Sequence, residues 1–262
     1  MGSGRFSIRS EVPPSLDVSL VIPVRDEAEN VAELGAEIAR ALDPQPWRWE
    51  CVWVDDGSRD GTLPELARLH ERDPRHRYVV LDGRYGQSAA LAVGFRYARG
   101  AILATLDGDG QNDPAEIPRL LRILEQAEAD LVNGWRRERR DPWLRRLSSR
   151  IANGVRDRAT GDRIRDVGCS LRVFRRACVE GLFAFDGMHR FLPTLIRLNG
   201  FSRILEVPVS HRPRRHGRTK YGIRNRLWVG LADTWAVRWM IRRAVRPRVR
   251  LAVVSEAEVN VR

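Results

Sequence analysis

Short apolar segments alternate with helical patterns through the first half of the chain. Apolar residues dominate residues 17–24, 47–54, 78–81 and 101–106, and this pattern predicts buried strands. Between these segments, a capping-box pattern at residues 30–33 predicts a helix over residues 30–42, and residues 62–65 predict the start of a second helix. A stretch of small residues predicts a third helix over residues 86–99. Strands that alternate with helices favour a doubly wound, mostly parallel α/β sheet with helices on both faces.

Polar and acidic residues follow each of the four predicted strands. The carboxyl ends of parallel strands meet at one edge of a sheet, where open α/β sheets bind their ligands. Mg²⁺ is typically held there by one or two carboxylates together with substrate phosphates. The sequence therefore predicts a ligand site at this edge, built from Arg25-Asp26-Glu27, Asp55-Asp56, Asp82, and Asp107 with Asp109.

The loop that begins at Asp107 admits two other interpretations. Its opening imitates an EF-hand, but that loop needs glycine at its sixth position and glutamate at its twelfth, where this chain has Asn112 and Pro118. Helix capping is the second interpretation, and it explains Asp113, which precedes Pro114 at a predicted helix start. Asp107 and Asp109 lie too early in the sequence to be explained by capping.

Composition narrows the class of protein. The 262 residues are 43% hydrophobic, which is enough for a sizeable core. No apolar run approaches the roughly 18 residues that a membrane-spanning helix needs, and no secretory leader opens the chain. Three cysteines without metal-ligand spacing predict reduced thiols. These features predict a cytoplasmic protein.

The net charge of +12 is concentrated after residue 134 and indicates an anionic partner, which could be nucleic acid, a membrane surface or a phosphorylated substrate. Residues 143–151 place apolar side chains on one helical face beside arginines, a pattern typical of an interfacial helix and equally of a helix packed on a core. Residues 222–243 mix tryptophan with arginine and predict a C-terminal amphipathic helix at a membrane surface.

Three motifs in order resemble glycosyltransferase family 2, and within it the polyprenyl-phosphate sugar synthases, the group that includes dolichyl-phosphate mannose synthase. The motifs are residues 21–30 (VIPVRDEAEN), residues 54–58 (VDDGS), and residues 107–114 (DGDGQNDP). The resemblance extends from Val18 to Tyr221. It implies a GT-A fold, Mg²⁺ or Mn²⁺ as cofactor, and inverting transfer of a sugar from a nucleotide-diphosphate donor to a polyprenyl phosphate.

The resemblance also implies roles for individual residues. The catalytic residues would be Asp107, Asp109, Arg136 and Arg172. Of these, Arg136, in a V-x-G-x-R segment, and Arg172 would hold the acceptor phosphate. The metal would be bound by Asp107, Asp109 and Gln111. The nucleotide would be bound by Pro23, Arg25, Glu27, Asp56, Asp82, Arg218 and Lys220, the last of which is the only lysine of the chain.

The predicted organisation is an N-terminal tail over residues 1–17, a GT-A domain over 18–221, the amphipathic helix over 222–243 and a tail over 244–262. The expected partners are a nucleotide sugar (GDP-mannose or a UDP-sugar), a polyprenyl phosphate and the anionic cytoplasmic face of a membrane, with no nucleic acid. Competing interpretations are a processive polysaccharide synthase, whose Q-x-x-R-W letters occur here only at residues 45–49 before the second strand, and a basic nucleic-acid-binding or membrane-binding protein without catalysis.

Overall fold

A seven-stranded sheet forms the framework of the protein. The computed structural model describes residues 16–136, 158, 160–161, 164–213 and 223–244, and of residues 223–231 only the backbone. The strands are β1 (Leu16–Val24), β2 (Trp49–Asp55), β3 (His76–Val80), β4 (Gly100–Thr105), β5 (Leu131–Arg136), β6 (Arg172–Arg175) and β7 (Ile204–Val209). Their order in the sheet is β3-β2-β1-β4-β6-β5-β7.

Helices cover both faces of this sheet, as the sequence predicts. The helices are α1 (Ala28–Leu42), α2 (Thr62–Arg72), α3 (Gln87–Tyr97), α4 (Ile117–Gln126), α5 (Leu192–Leu198) and α6 (Ile223–Arg243). Alternate residues of β1 point to opposite faces, so Leu20 belongs to the core under α1, α2 and α4, whereas Val21 belongs to the core under α3 and α5. Val237 of α6 joins this second core.

The carboxyl ends of six strands and the first residue of β6 lie at the same edge of the sheet. β3, β2, β1 and β4 are mutually parallel, so their carboxyl ends share one edge of the sheet. β6 is antiparallel to β4 and β5, and its first residue, Arg172, therefore pairs with Thr105 at the same edge. β5 and β7 are parallel and end there as well, at Arg136 and Val209. We call this edge, where both halves of the chain meet, the site edge.

The first helix begins earlier than its sequence suggests. Residues 30–33 resemble a capping box, but α1 begins at Ala28 and Asn30 lies inside it, donating a hydrogen bond of 2.6 Å to Glu27. The neighbouring loop supplies the missing caps: the backbone N–H of Glu27 donates to Thr62 Oγ1 at 2.8 Å, and that of Ala28 to Asp60 at 3.2 Å. Partners 32 to 35 residues away thus decide where this helix begins.

Some predicted features fall outside the described residues. These are the interfacial helix predicted over residues 143–151 and the junction of domain and helix at residues 221 and 222, so the predicted domain division stays a prediction. Within the described ranges, no helix is both long enough and apolar enough to cross a membrane.

Candidate active site at the site edge

The loop after β4 carries two carboxylates and has no room for a side chain between them. A Cβ at Gly108 would lie 2.5 Å from Val24 Cγ1, so only glycine fits between Asp107 and Asp109. Asp109 is 7% exposed, and its Oδ1 accepts the backbone N–H of Gln111 at 3.1 Å. The close contact with β1 therefore fixes the course of this acidic loop.

The two carboxylates are close enough to influence each other. Burial, and after it the negative charge of Asp109, raises the pKa of Asp107 to about 6, while the positive charges of Arg136 and Arg172 act in the opposite direction. Asp107 also accepts a hydrogen bond of 2.7 Å from Gln87 Nε2, at the first turn of α3. The site edge thus places an acidic pair beside two arginines from the second half of the chain.

The donor set suits a hard divalent cation. Two carboxylates and the Gln111 side-chain amide offer oxygen ligands, and a partly buried like-charged pair gains stability from a cation between its members. The described part of the chain contains no group of three His, Cys, Asp or Glu side chains that could hold a metal ion. Two carboxylates and one amide oxygen fit a site that substrate phosphates complete, as is usual for Mg²⁺.

The loops after β1 and β2 are fastened to each other. Arg59 N–H donates to Asp26 at 2.8 Å, and Asp26 N–H donates to Ser58 Oγ at 2.9 Å. Asp26 adopts a φ of 47°, an unusual conformation for a residue other than glycine, and these bonds hold it there. Of the residues expected at the nucleoside, Pro23 lies near the end of β1, and Arg25 and Glu27 lie in the loop that follows it. Arg25 Nε is 3.7 Å from Asp26 Oδ2.

Asp56 is buried under the next loop. Its Oδ1 accepts the backbone N–H groups of Tyr85 at 2.6 Å and Gly86 at 3.0 Å, and its Oδ2 accepts Gly86 N–H at 2.9 Å. Asp56 therefore shapes the turn that leads into α3. The exposed Asp82 accepts the hydroxyl hydrogen of Tyr85 at 2.8 Å at the rim of the same turn. Direct contact of Asp56 or Asp82 with a nucleotide stays a prediction.

Arg136 is held in one orientation by Asp166. Its Nε and Nη2 donate to the two carboxylate oxygens at 2.7 and 2.9 Å, and its backbone N–H donates to the same group at 3.2 Å. The side chains of Arg136 and Asp166 are only 15% and 8% exposed, respectively. Such a two-point ion pair fixes the plane of the guanidinium and leaves Nη1 on its far side.

Arg172 is more deeply enclosed. It is 3% exposed and donates to Asn133 Oδ1 at 2.8 Å, to the carbonyl oxygen of His189 at 2.9 Å and to that of Val167 at 2.6 Å. These bonds connect β5, β6 and the segment that carries Asp166. Arg172 thus holds the segment whose Asp166 binds Arg136. Contact of Arg172 with an acceptor phosphate stays a prediction.

Sequence reasoning missed Gln87, His189 and Arg212. Gln87 holds Asp107, and Ser88 beside it bonds His189 Nδ1 at 2.8 Å. Arg212 joins the acidic loop to α1 through Asp113 and Glu37. Gln87 could have been found as the polar residue that opens a small-residue helix at a strand's carboxyl end. Arg218 and Lys220, both predicted at the nucleotide, lie outside the described residues.

Two solved structures illustrate the architecture that this chain shares with known proteins. Glucosyl-3-phosphoglycerate synthase from Mycobacterium tuberculosis, in complex with Mn²⁺, UDP and glucosyl-3-phosphoglycerate, matches with a TM-score of 0.65 at 18% identity, over 89% of this chain and 82% of that one. A mannosyltransferase from Pyrobaculum calidifontis, in complex with GDP-mannose and Mn²⁺, matches with a TM-score of 0.61 at 22% identity, over 90% of this chain and 67% of that one. At these identities the likeness shows the fold, which is GT-A.

Sequence relatives are more similar. A dodecaprenyl-phosphate galacturonate synthase from Rhizobium johnstonii is 40% identical over 236 residues, 89% of this chain and 70% of the relative. An undecaprenyl-phosphate 4-deoxy-4-formamido-L-arabinose transferase from Edwardsiella ictaluri is 39% identical over 209 residues, 79% of this chain and 63% of the relative. The model of the family described as glycosyl transferase family 2 matches residues 19–183. The chain therefore belongs to glycosyl transferase family 2.

Proposed function

We propose that this protein transfers a sugar from a nucleotide-diphosphate sugar to a polyprenyl phosphate, with inversion and with Mg²⁺ or Mn²⁺ bound. The observation that carries the proposal is the meeting of an acidic pair, Asp107 and Asp109, with Arg136 and Arg172 at one edge, close enough for both arginines to act on the pKa of Asp107. An acidic pair suits a cation and its diphosphate, and an arginine pair suits a second phosphate.

The reaction needs positioning more than proton transfer. A phosphomonoester has its second pKa near 6, so the acceptor is a competent nucleophile at neutral pH without a strong base. One acceptor oxygen forms a bond to the anomeric carbon, and the bond to the diphosphate oxygen breaks with its electron pair leaving on the nucleotide. A bound divalent cation would neutralise charge on that leaving group.

The residues of the chain have separate tasks in this proposal. Asp107, Asp109 and Gln111 would hold the cation, and Gln87 would hold Asp107 in place. Arg136 would bind and orient the acceptor phosphate, and Arg172 would either share that contact or support Arg136. The nucleotide would lie over Pro23, Arg25 and Glu27 and beside Asp56 and Asp82, with Arg218 and Lys220 closing on the diphosphate.

A donor and acceptor panel tests the function. Radiolabelled nucleotide sugars would be offered with a short polyprenyl phosphate and, as the matched control, with the same polyprenol lacking its phosphate. GDP-mannose is the expectation from resemblance, and nucleotide-linked galacturonic acid and 4-formamido-arabinose join the panel because the two sequence relatives are named for those sugars. We expect one donor to label the polyprenyl phosphate only. Labelling of 3-phosphoglycerate in preference to the lipid would contradict the proposal.

We also propose that α6 lies on an anionic membrane surface. Its Val237 is buried against the protein, whereas Trp235 and Trp239 are 68% and 63% exposed, one turn apart on the opposite side. Arg242 and Arg243 are exposed in the last turn. Tryptophan prefers the headgroup level of a bilayer, and arginine is attracted to anionic lipids.

Removing both exposed tryptophans should weaken binding to lipid. For Trp235→Ala with Trp239→Ala, we expect about tenfold weaker cosedimentation with vesicles of phosphatidylcholine and phosphatidylglycerol, a loss of about 1.4 kcal/mol. Tyr97→Ala, which removes an aromatic side chain that is 50% exposed on α3, is the control and should bind like the parent protein. Binding should also fall as salt screens the arginines. Unchanged binding of the double variant would exclude α6 from the membrane contact.

A further inference from the structure

Arg212 connects three parts of the site edge. It lies just after β7, and its Nη1 donates to both carboxylate oxygens of Glu37 on α1 at 2.8 Å. Its Nη2 lies 2.8 Å from Asp113 Oδ1, and Asp113 also caps the turn that follows the acidic loop. One guanidinium thus joins α1, the acidic loop and the end of β7 through two carboxylates.

The backbone of the same residue holds Gln111. Arg212 N–H donates to the Gln111 carbonyl oxygen at 2.8 Å, and Gln111 Nε2 lies 3.4 Å from the Arg212 carbonyl oxygen. The adjacent residues Asn112 and His211 form an antiparallel bridge. Because the amide nitrogen of Gln111 faces the Arg212 carbonyl oxygen, its Oε1 takes no part in that contact.

We infer that Arg212 is a positioning residue for the metal: it holds Gln111 with its side-chain oxygen presented to the cation. This inference rests on the proposed function, because it takes Gln111 to be a ligand. The two carboxylates hold the guanidinium of Arg212, and the guanidinium in turn holds the backbone at residue 212. That backbone hydrogen-bonds both the carbonyl oxygen and the side-chain amide of Gln111. Partners that orient a ligand in this way typically contribute 10–100-fold to metal affinity.

The test measures Mn²⁺ binding directly, with electron paramagnetic resonance of unbound Mn²⁺ and with UDP or GDP present but no acceptor. We expect Arg212→Gln to weaken Mn²⁺ binding by about 10–100-fold. Glu37→Gln, which removes a partner of Arg212 on α1 and leaves Gln111 untouched, should weaken it by a smaller factor. Arg212→Lys should recover part of the loss, because a point charge can meet one carboxylate but not two.

Arg119→Gln is the matched control. Arg119 Nη2 bonds Glu116 at 2.5 Å and the carbonyl oxygen of Pro208 at 2.6 Å, so this arginine also fastens β7 to the start of α4 but does not touch Gln111. We expect its Mn²⁺ affinity to match that of the parent protein. Nucleotide affinity without metal should be the same in every variant, and circular dichroism would show that each is folded.

The outcomes separate the inference from the proposed function. Parent-like Mn²⁺ affinity in folded Arg212→Gln and Glu37→Gln variants would overturn the inference and leave the proposed function standing. Equal losses in Arg119→Gln and Arg212→Gln would also overturn it, because general loosening of the edge would then be the cause. A parent protein that binds no Mn²⁺ with either nucleotide would overturn the metal part of the proposed function itself.

Discussion

Asp109→Asn is expected to abolish sugar transfer while leaving the protein folded. The substitution keeps the shape of the side chain and removes one of the two negative charges that the cation would neutralise. Loss of an outer partner of a metal ligand already costs about 10–100-fold, so loss of the ligand itself should cost more than about 100-fold. Folding should not suffer, because the negative charge of Asp109 is one of the factors that keep the neighbouring carboxylate of Asp107 at a raised pKa.

Transfer of labelled sugar measured against Mn²⁺ and Mg²⁺ concentration checks this expectation. Asp43→Asn is a suitable control, since Asp43 follows α1 at the opposite edge of the sheet and bonds Arg75 and Trp49 there. The control should keep full activity with an unchanged metal requirement. Full activity of Asp109→Asn, or undiminished activity of the parent protein in excess chelator, would refute the metal assignment.

The parallel half of the fold follows from the sequence because its signals are local. The sequence shows four times an apolar run, polar residues directly after it and then the pattern of a helix. The bounds of β1 to β4 differ from those of the predicted strands by no more than two residues. β6 has no such signal: it spans four residues, Arg172–Arg175, and pairs antiparallel with β4 and β5. Only pairing with strands 39 to 73 residues away in the sequence decides its place, and apolar periodicity carries no information on that pairing.

The location of the candidate site could be predicted from the sequence, but the contacts within it could not. Strand ends of a doubly wound sheet share an edge, so the positions of Asp107 and Asp109 at the site edge follow from topology, whereas Arg136 was expected there only from the family resemblance. The bonds that each side chain makes do not follow. Asp56 accepts three hydrogen bonds from backbone N–H groups, and Arg212 reaches a glutamate 175 residues away. Sequence spacing cannot reveal such partners, which belong to different motifs.

Arg136→Gln is expected to lower kcat/KM for the polyprenyl phosphate by about 100-fold or more and to leave KM for the donor unchanged. A lost charge-assisted hydrogen bond to the acceptor costs about 1.5–3 kcal/mol. A second effect adds to it, because Asp166 would keep its negative charge without the guanidinium that binds both of its oxygens at 2.7 and 2.9 Å. That charge would repel the incoming phosphate and, being largely buried, would also destabilise the fold.

Removing the second effect provides the decisive comparison. Asp166→Asn in the Arg136→Gln background takes away the unpaired charge, so the double variant should be more stable and more active toward the lipid than Arg136→Gln alone. It should remain below the parent protein by the lost phosphate contact, roughly ten- to a hundredfold. Steady-state kinetics with donor and acceptor varied separately, alongside thermal unfolding, measure both quantities. If donor KM rises as much as acceptor KM, or if Asp166→Asn brings no recovery, then Arg136 does not serve the acceptor phosphate, and the loss reflects damage to the site edge as a whole.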